Sequence, residues 1–247
     1  MKPYYQDSAV TIYHGDCREV MRSIEADSVD LLWTDPPYGH SNLDGDLQSA
    51  RVGVKGGRKR AAEPIANDSA LDMRAVVDAM LKEAARILKP DCCCCCCGGG
   101  GPRPTFAWVA NRMDEQGLEF FHSVIWYKTA RGPGMGWRFR RDHEMIMVSH
   151  RKGGRLAWAD SAPAISNIQR FAPPNNRLHP NEKPLDLVLQ FIASTTSPGG
   201  LVLDPFMGSG TTLRAAKDLG RRAIGIELEE RHCETAASKL SQEVFSL

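Results

Sequence analysis

The sequence predicts an α/β fold, a mainly parallel sheet with helices on both faces, and three observations lead to it. Short apolar runs alternate with stretches of helical period along the chain, the β-α-β-α order that builds parallel sheets. Polar motifs at Asp16, Asp35, Asp204 and Glu227 each follow such a run, and open parallel sheets bind ligands beyond the carboxyl ends of their strands. The 247 residues, 42% hydrophobic and 25% charged, suit one main core. At this size roughly three quarters of the unfolded surface can be buried, so stability calls for neither disulfides nor a structural metal.

Residues 10–13 read as a short strand, followed by Gly15-Asp16 and a helix over about 17–25. Residues 29–33 are a near-continuous apolar run, and Pro36 and Pro37 stop the strand it forms. Residues 39–67, rich in Gly, Ser, Asp and Arg without sustained periodicity, are expected to be a long loop, with 40–70 mobile. Val76, Val77, Met80, Leu81, Ala84, Ala85 and Leu88 set a helix over 71–88, which Lys89-Pro90 ends. A cysteine strand, 92–97, a glycine connection and a helix over 105–116 follow. Strands over 118–127 and 144–149 frame a Gly- and Arg-rich loop, 131–141. Residues 153–178, with Pro163, Pro173 and Pro174, form a small irregular insert. The chain closes with a helix over 184–195, a strand to Asp204, a helix over 211–219, a strand to Glu227 and a helix over 229–240.

Six of the eight cysteines are consecutive, Cys92 to Cys97. On a strand such a run places three thiols on each face of the sheet. Adjacent cysteines do not readily bond to each other and no second Cys pair completes a zinc pattern, so the preferred reading is a core strand of small buried hydrophobes, in a reducing compartment and without metal. The net charge of +1 hides two basic regions: Arg51, Lys55, Arg58, Lys59 and Arg60, and Arg138, Arg140, Arg141, Arg151, Lys152 and Arg155. Each suits phosphate contacts, and each also suits a solvated loop. No apolar stretch is long enough to span a membrane, which points to a cytoplasmic protein.

Asp204-Pro205-Phe206-Met207-Gly208-Ser209-Gly210-Thr211-Thr212 joins a strand to a helix. Glycines there admit a ligand close to the backbone, and the helix start receives an anion. The segment lacks the Gly-Lys-Ser/Thr of a P-loop and the full dinucleotide fingerprint. Glu227, at the next strand's end, can accept both hydroxyls of a ribose, so the pair suggests an adenosine-containing ligand. A glycine turn with a capping acid is the alternative. Asp35-Pro36-Pro37-Tyr38 adds a carboxylate, a turn stiffened by two prolines and an aromatic face.

With these motifs, the sequence resembles the β-class amino DNA methyltransferases, in which D-P-P-Y precedes D-P-F-x-G-S-G-T-T. His179-Pro180-Asn181-Glu182-Lys183-Pro184 is similar to that family's H-P-x-x-K-P element. The resemblance covers nearly the whole chain. It implies a single domain over 1–247 with a circularly permuted, seven-stranded, Rossmann-like methyltransferase sheet and a target-recognition insert over 153–178. The last helix should then end near Val10.

The resemblance also implies the activity: transfer of methyl from S-adenosylmethionine to adenine N6 in double-stranded DNA, in a restriction-modification setting, with room for a homodimer. Asp35, Pro36, Pro37 and Tyr38 would be catalytic, with Tyr38 stacked on a base swung out of the duplex. Phe206 to Thr211, including Gly208, Ser209 and Gly210 beside Asp204 and Pro205, would hold the methionine end of the cofactor. Glu227 would take the ribose, Asp16 the adenine side, and Lys183 would lie close to the methionine carboxylate. Asp16 also reads as a helix cap. Trp126 and Trp137 are left out of the site as packing residues. No cysteine follows a proline, so ring-carbon methylation is not expected. Asp35 at the first motif position, where serine is the other choice, leans toward adenine; cytosine N4, an RNA base, a silent DNA-binding module and, more distantly, a nicotinamide dehydrogenase are the competing readings.

Overall fold

The computed structural model describes residues 1–37, 70–98, 105–129, 142–174 and 182–241. Its strands are β1 (Tyr5–Gln6), β2 (Val10–His14), β3 (Val29–Thr34), β4 (Leu88–Gly98), β5 (Leu118–Lys128), β6 (His143–Arg151), β7 (Ile168–Phe171), β8 (Leu201–Asp204) and β9 (Arg222–Glu227). The helices are α1 (Cys17–Val20), continued by a 3-10 turn over Met21–Ser23, then α2 (Ala70–Ile87), α3 (Thr105–Glu115), α4 (Leu185–Thr195), α5 (Thr211–Asp218) and α6 (Glu230–Ser241).

All nine strands form one sheet in the order β1-β2-β9-β8-β3-β4-β6-β5-β7. The run from β2 through β9, β8 and β3 to β4 is parallel, β6 is antiparallel to β4 and β5, and β7 pairs parallel with β5. The seven-strand expectation is therefore corrected to nine, by two edge strands. β1 has two residues, too few for a pattern. β7 lies inside the stretch expected to be irregular, and its four residues, which bury Gln169, offer no apolar alternation to read.

The cysteine strand is central and behaves as its period of two requires. Cys93, Cys95 and Cys97 enter the core formed with α4, α5 and α6, while Cys92, Cys94 and Cys96 enter the core formed with α1, α2 and α3. All six thiols are free and buried, and burial pushes the Cys92 thiol up to about 12. Buried free thiols of this kind pack as small hydrophobes. Among the described residues no cluster of His, Cys, Asp or Glu is placed to hold a metal.

Local details hold the central strands in register. β4 begins earlier than its cysteines, and the pairing with β3 skips between Val29 and Leu31, which takes Pro90 out of the ladder. At the amino end of β3, Asp30 accepts from Lys89 Nζ (2.7 Å) and Leu201 N (2.8 Å), tying β3 to both neighbours. Trp33 packs against Phe191 of α4 with ring centroids 4.7 Å apart. The last helix does end near Val10: Lys217 Nζ donates to Leu240 O (2.9 Å) and to Asp7 Oδ2 (2.6 Å), and Asp7 Oδ1 accepts from Val10 N (2.7 Å). No described helix is long and apolar enough to cross a membrane.

Candidate active site

Parallel pairing brings the carboxyl ends of β2, β9, β8 and β3 onto one rim, because His14 is opposite Glu227, Asp204 opposite Gly225 and Leu203 opposite Leu32. Asp16, Glu227, Asp204 and Asp35 are thus gathered from distant parts of the sequence.

Asp204 is 4% exposed. Its Oδ1 accepts from Thr34 Oγ1 (3.1 Å) and Phe206 N (3.1 Å), and its Oδ2 from Thr212 Oγ1 (2.6 Å). Burial pushes the carboxyl up to about 7 against the pull of these bonds. The residue clamps the end of β3 to the turn and helix that follow β8. Pro205 is buried behind it and Phe206 is half-buried.

The glycine turn has its backbone for a reason. Gly210 caps α5 at φ 82°, and a Cβ there would lie 2.8 Å from Ala236 Cβ. A side chain is excluded both by that contact and by the left-handed backbone. Gly208 N donates to Glu227 Oε2 (3.0 Å) and Glu229 N to Oε1 (2.8 Å), while burial raises the Glu227 carboxyl above its ordinary range. Ser209 Oγ (3.3 Å), Thr211 Oγ1 (3.1 Å) and Lys239 Nζ (2.8 Å) all donate to Glu182 Oε1. A buried acid facing a glycine cradle at the start of a helix fits a ribose with an attached amino-acid end. Asp16 stands beside this cradle as the cap of α1: its Oδ1 accepts from Arg18 N (2.8 Å), and Arg18 Nε donates to both oxygens (2.9 and 3.0 Å).

Asp35 follows β3 directly and is partly exposed, with Pro36 buried beneath it. Its Oδ2 accepts from Lys183 Nζ at 2.5 Å. Lys183, 6% exposed, also lies 3.1 Å from Glu144 Oε2, and Glu144 Oε1 is bonded by Lys128 Nζ. Burial opposes the Lys183 charge, but Asp35 and Glu144 outweigh it and raise the ammonium above its ordinary range. Burial likewise opposes the Glu144 charge, and Lys183 and Lys128 bring that carboxyl down to about 2. Lys183, read from the sequence as a neighbour of the methionine carboxylate, is joined to Asp35 and Glu144. Glu182, the residue before it, turns to the cradle, so one dipeptide touches both halves of the site.

Tyr38, His179, Pro180, Asn181, Trp137, residues 39–67 and 131–141, and 175–178 of the insert lie outside the described residues. Glu144, Lys128, Glu182 and Lys239 are additions that the sequence reading missed. Glu182 stands inside the H-P-x-x-K-P-like element, and Glu144 is an acid opening an otherwise apolar strand; both were available as signals. Lys128 and Lys239 come close only through folding.

A rim with an acid facing a glycine turn at one end and a proline-flanked carboxylate at the other is the layout of a methyltransferase that uses S-adenosylmethionine. The chain belongs to the DNA methylase family of N6 and N4 methyltransferases, whose model matches residues 29–171 and 158–238. It is 28% identical to the type II methyltransferase M.HinfI of Haemophilus influenzae in an alignment of 263 residues, covering 98% of this chain and 71% of that one. The cytosine-N4-specific PvuII DNA methyltransferase shares the fold with a TM-score of 0.76 at 20% identity, over 99% of this chain and 91% of its own. TTHA0409 of Thermus thermophilus, complexed with S-adenosyl-L-methionine, superposes with a TM-score of 0.67 at 25% identity, over 93% of this chain and 92% of its own.

Proposed function

We propose that this DNA methyltransferase modifies the N6 amino group of adenine in double-stranded DNA, with Asp35, Pro36, Pro37 and Tyr38 as its catalytic residues. The observation that carries this is the placement of Asp35: a carboxylate at the end of β3, next to the β8 turn, with its Oδ2 held by a buried ammonium. S-adenosylmethionine supplies an electrophilic methyl group on a sulfonium. Glu227, the turn from Pro205 to Thr211 and Asp16 would hold it at the other half of the rim, with Glu182 and Lys239 fixing Ser209 and Thr211.

An exocyclic amine is a weak nucleophile because its lone pair is delocalised into the ring. Asp35 and the Pro36 carbonyl accept its two hydrogens and favour a tetrahedral nitrogen. When bound, S-adenosylmethionine would supply its methyl group to that nitrogen and leave with the electron pair of the broken carbon–sulfur bond. The cationic nitrogen then gives one proton to Asp35, from which it leaves to water. Positioning and a fixed electrostatic field carry most of the acceleration.

Aspartate at the first motif position favours adenine. Cytosine N4 is the second reading, favoured by the fold shared with the cytosine-N4-specific PvuII enzyme. We further read the sheet as circularly permuted: β8 and β9, which end in the cofactor-side acids, come after β3 in the chain yet sit between β2 and β3. Residues 153–178 would serve target recognition, and a type II modification system would be the setting. A homodimer forms no part of this proposal.

Nucleoside analysis of DNA methylated by the purified protein tests the base. N6-methyladenine is expected, and N4-methylcytosine would replace the adenine assignment. In the same assay Asp35→Ala should lower transfer about a hundred- to a thousandfold, the scale of losing a group that acts in the transition state, with cofactor affinity retained. Full activity in that variant overturns the mechanism.

A further inference from the structure

We infer that Lys183, buttressed by Glu144 and through it by Lys128, is the positioning residue of Asp35, fixing both the direction and the negative charge of that carboxylate. The inference rests on the proposal that Asp35 accepts an amino hydrogen and then the amine's proton, and it adds what keeps Asp35 able to do so.

Four side chains of alternating sign cross the rim: Asp35 after β3, Lys183 before α4, Glu144 on β6 and Lys128 at the end of β5. The contacts are 2.5 Å between Lys183 Nζ and Asp35 Oδ2, 3.1 Å between Lys183 Nζ and Glu144 Oε2, and a bond from Lys128 Nζ to Glu144 Oε1. The side chains of Lys183, Glu144 and Asp35 are 6%, 15% and 18% exposed, and Lys128, at 30%, is the most exposed of the four. A buried ion pair is a poor device for stability, since apolar side chains of the same volume often serve as well or better. What an apolar side chain could not do here is set the charge of Asp35.

The other groups facing Asp35 among the described residues make that charge a problem. Glu144 brings a second negative charge from β6. Asp204, whose carboxyl burial pushes up to about 7, approaches from β8, and the protonated thiols of Cys96 and Cys97 approach from β4. Without Lys183, Asp35 would lose the cation at its Oδ2 and keep the negative charge of Glu144 nearby, so its carboxyl would hold its proton to higher pH. A protonated Asp35 is a weaker acceptor for the amino hydrogen and cannot take the proton that the cationic nitrogen must give up. Adjacent Glu182, on the cofactor cradle, fixes the backbone from which Lys183 reaches.

The test is the pH profile of single-turnover methyl transfer to duplex DNA, followed with labelled S-adenosylmethionine, for the wild type and for Lys183→Met, Lys183→Arg and Glu144→Gln. Cofactor affinity and melting temperature are measured on each. Loss of the ammonium should move the acid limb of the Lys183→Met profile upward by about one to three pH units, the range for a carboxylate losing an adjacent cation. Lys183→Arg should bring the limb back. Glu144→Gln, which removes a negative charge, should move it downward.

An acid limb left in place in folded Lys183→Met, with activity lowered equally at every pH, overturns the inference. So does an upward or absent shift in Glu144→Gln, which decides the matter if Lys183→Met does not fold. Asp35→Ala run in parallel separates the two ideas. Activity in that variant removes the catalytic role of Asp35 itself, whereas an inactive Asp35→Ala with unshifted Lys183 and Glu144 profiles removes the positioning role alone.

Discussion

Asp204 shows how a single carboxyl can serve geometry at a cost in stability. Three donors, from β3, the turn and α5, converge on it, and burial still pushes it from 3.8 up to about 7. Between those two values the folded chain holds a proton that the unfolded chain has released. Its contribution to stability is therefore complete below about pH 4 and is lost as pH rises through about 7. Asp204→Asn can keep the Thr34, Phe206 and Thr212 contacts by amide orientation but has no proton to lose. Melting curves should show a flatter pH profile between pH 4 and 7 for the variant than for the wild type. The two profiles should diverge by several degrees, since a chain of this size changes by about 2–4 °C per kcal/mol. Parallel profiles would remove Asp204 as the source. At the same scale, Asp35 and Glu227 were legible because acids directly after apolar runs stand out in one dimension. The Lys183 partnership was not, since its two carboxylates are separated from it by long stretches of chain.

β9 carries a constraint that belongs to the element. A Cβ on Gly225 would lie 2.4 Å from Met207 Sδ and 2.6 Å from Leu213 Cδ2, so the glycine turn after β8 and α5 lie against bare backbone. Gly225→Ala must push Met207 and Leu213 off the strand. The expected cost is about 1–3 kcal/mol, as for other overpacked cores. Because Met207 belongs to the turn, calorimetric titration should show weaker S-adenosylmethionine binding as well. Loss of stability with unchanged cofactor affinity would mean that the turn moves independently of the strand. Elements with strong periodicity, such as α2 and the cysteine strand, were readable from sequence. β7 was not, since its pairing with β5 rather than its composition makes it a strand.

The whole molecule is closed by Lys217. Its Nζ donates to Asp7 Oδ2 (2.6 Å) and to Leu240 O (2.9 Å), joining the turn before β2 to the end of α6 through α5. Burial opposes the Asp7 charge, but Lys217, the amides of Ala9 and Val10 and the Tyr5 hydroxyl bring the carboxyl down to about 2. The stability linked to this group is present above about pH 4 and is lost as pH falls through about 2. Lys217→Met should cost about 1 kcal/mol, the upper part of the range for partly exposed pairs. That corresponds to a melting temperature about 2–4 °C lower at pH 7. The deficit should shrink in acid, and a deficit independent of pH would point to lost packing instead.

The amino-acid sequence by itself determined the alternation of strands and helices, the two-faced cysteine strand, the order of the motifs and the acids that follow the strands, because each is written in spacing along one dimension. The tertiary structure decided the two edge strands, the joining of Lys183 to Asp35 and Glu144, and the tying of Ser209 and Thr211 to Glu182. Those depend on which strand ends become neighbours and on which charges are buried together. Hydrogen-bond pairing and desolvation select them once the sheet has formed, and neither has a signature in local sequence.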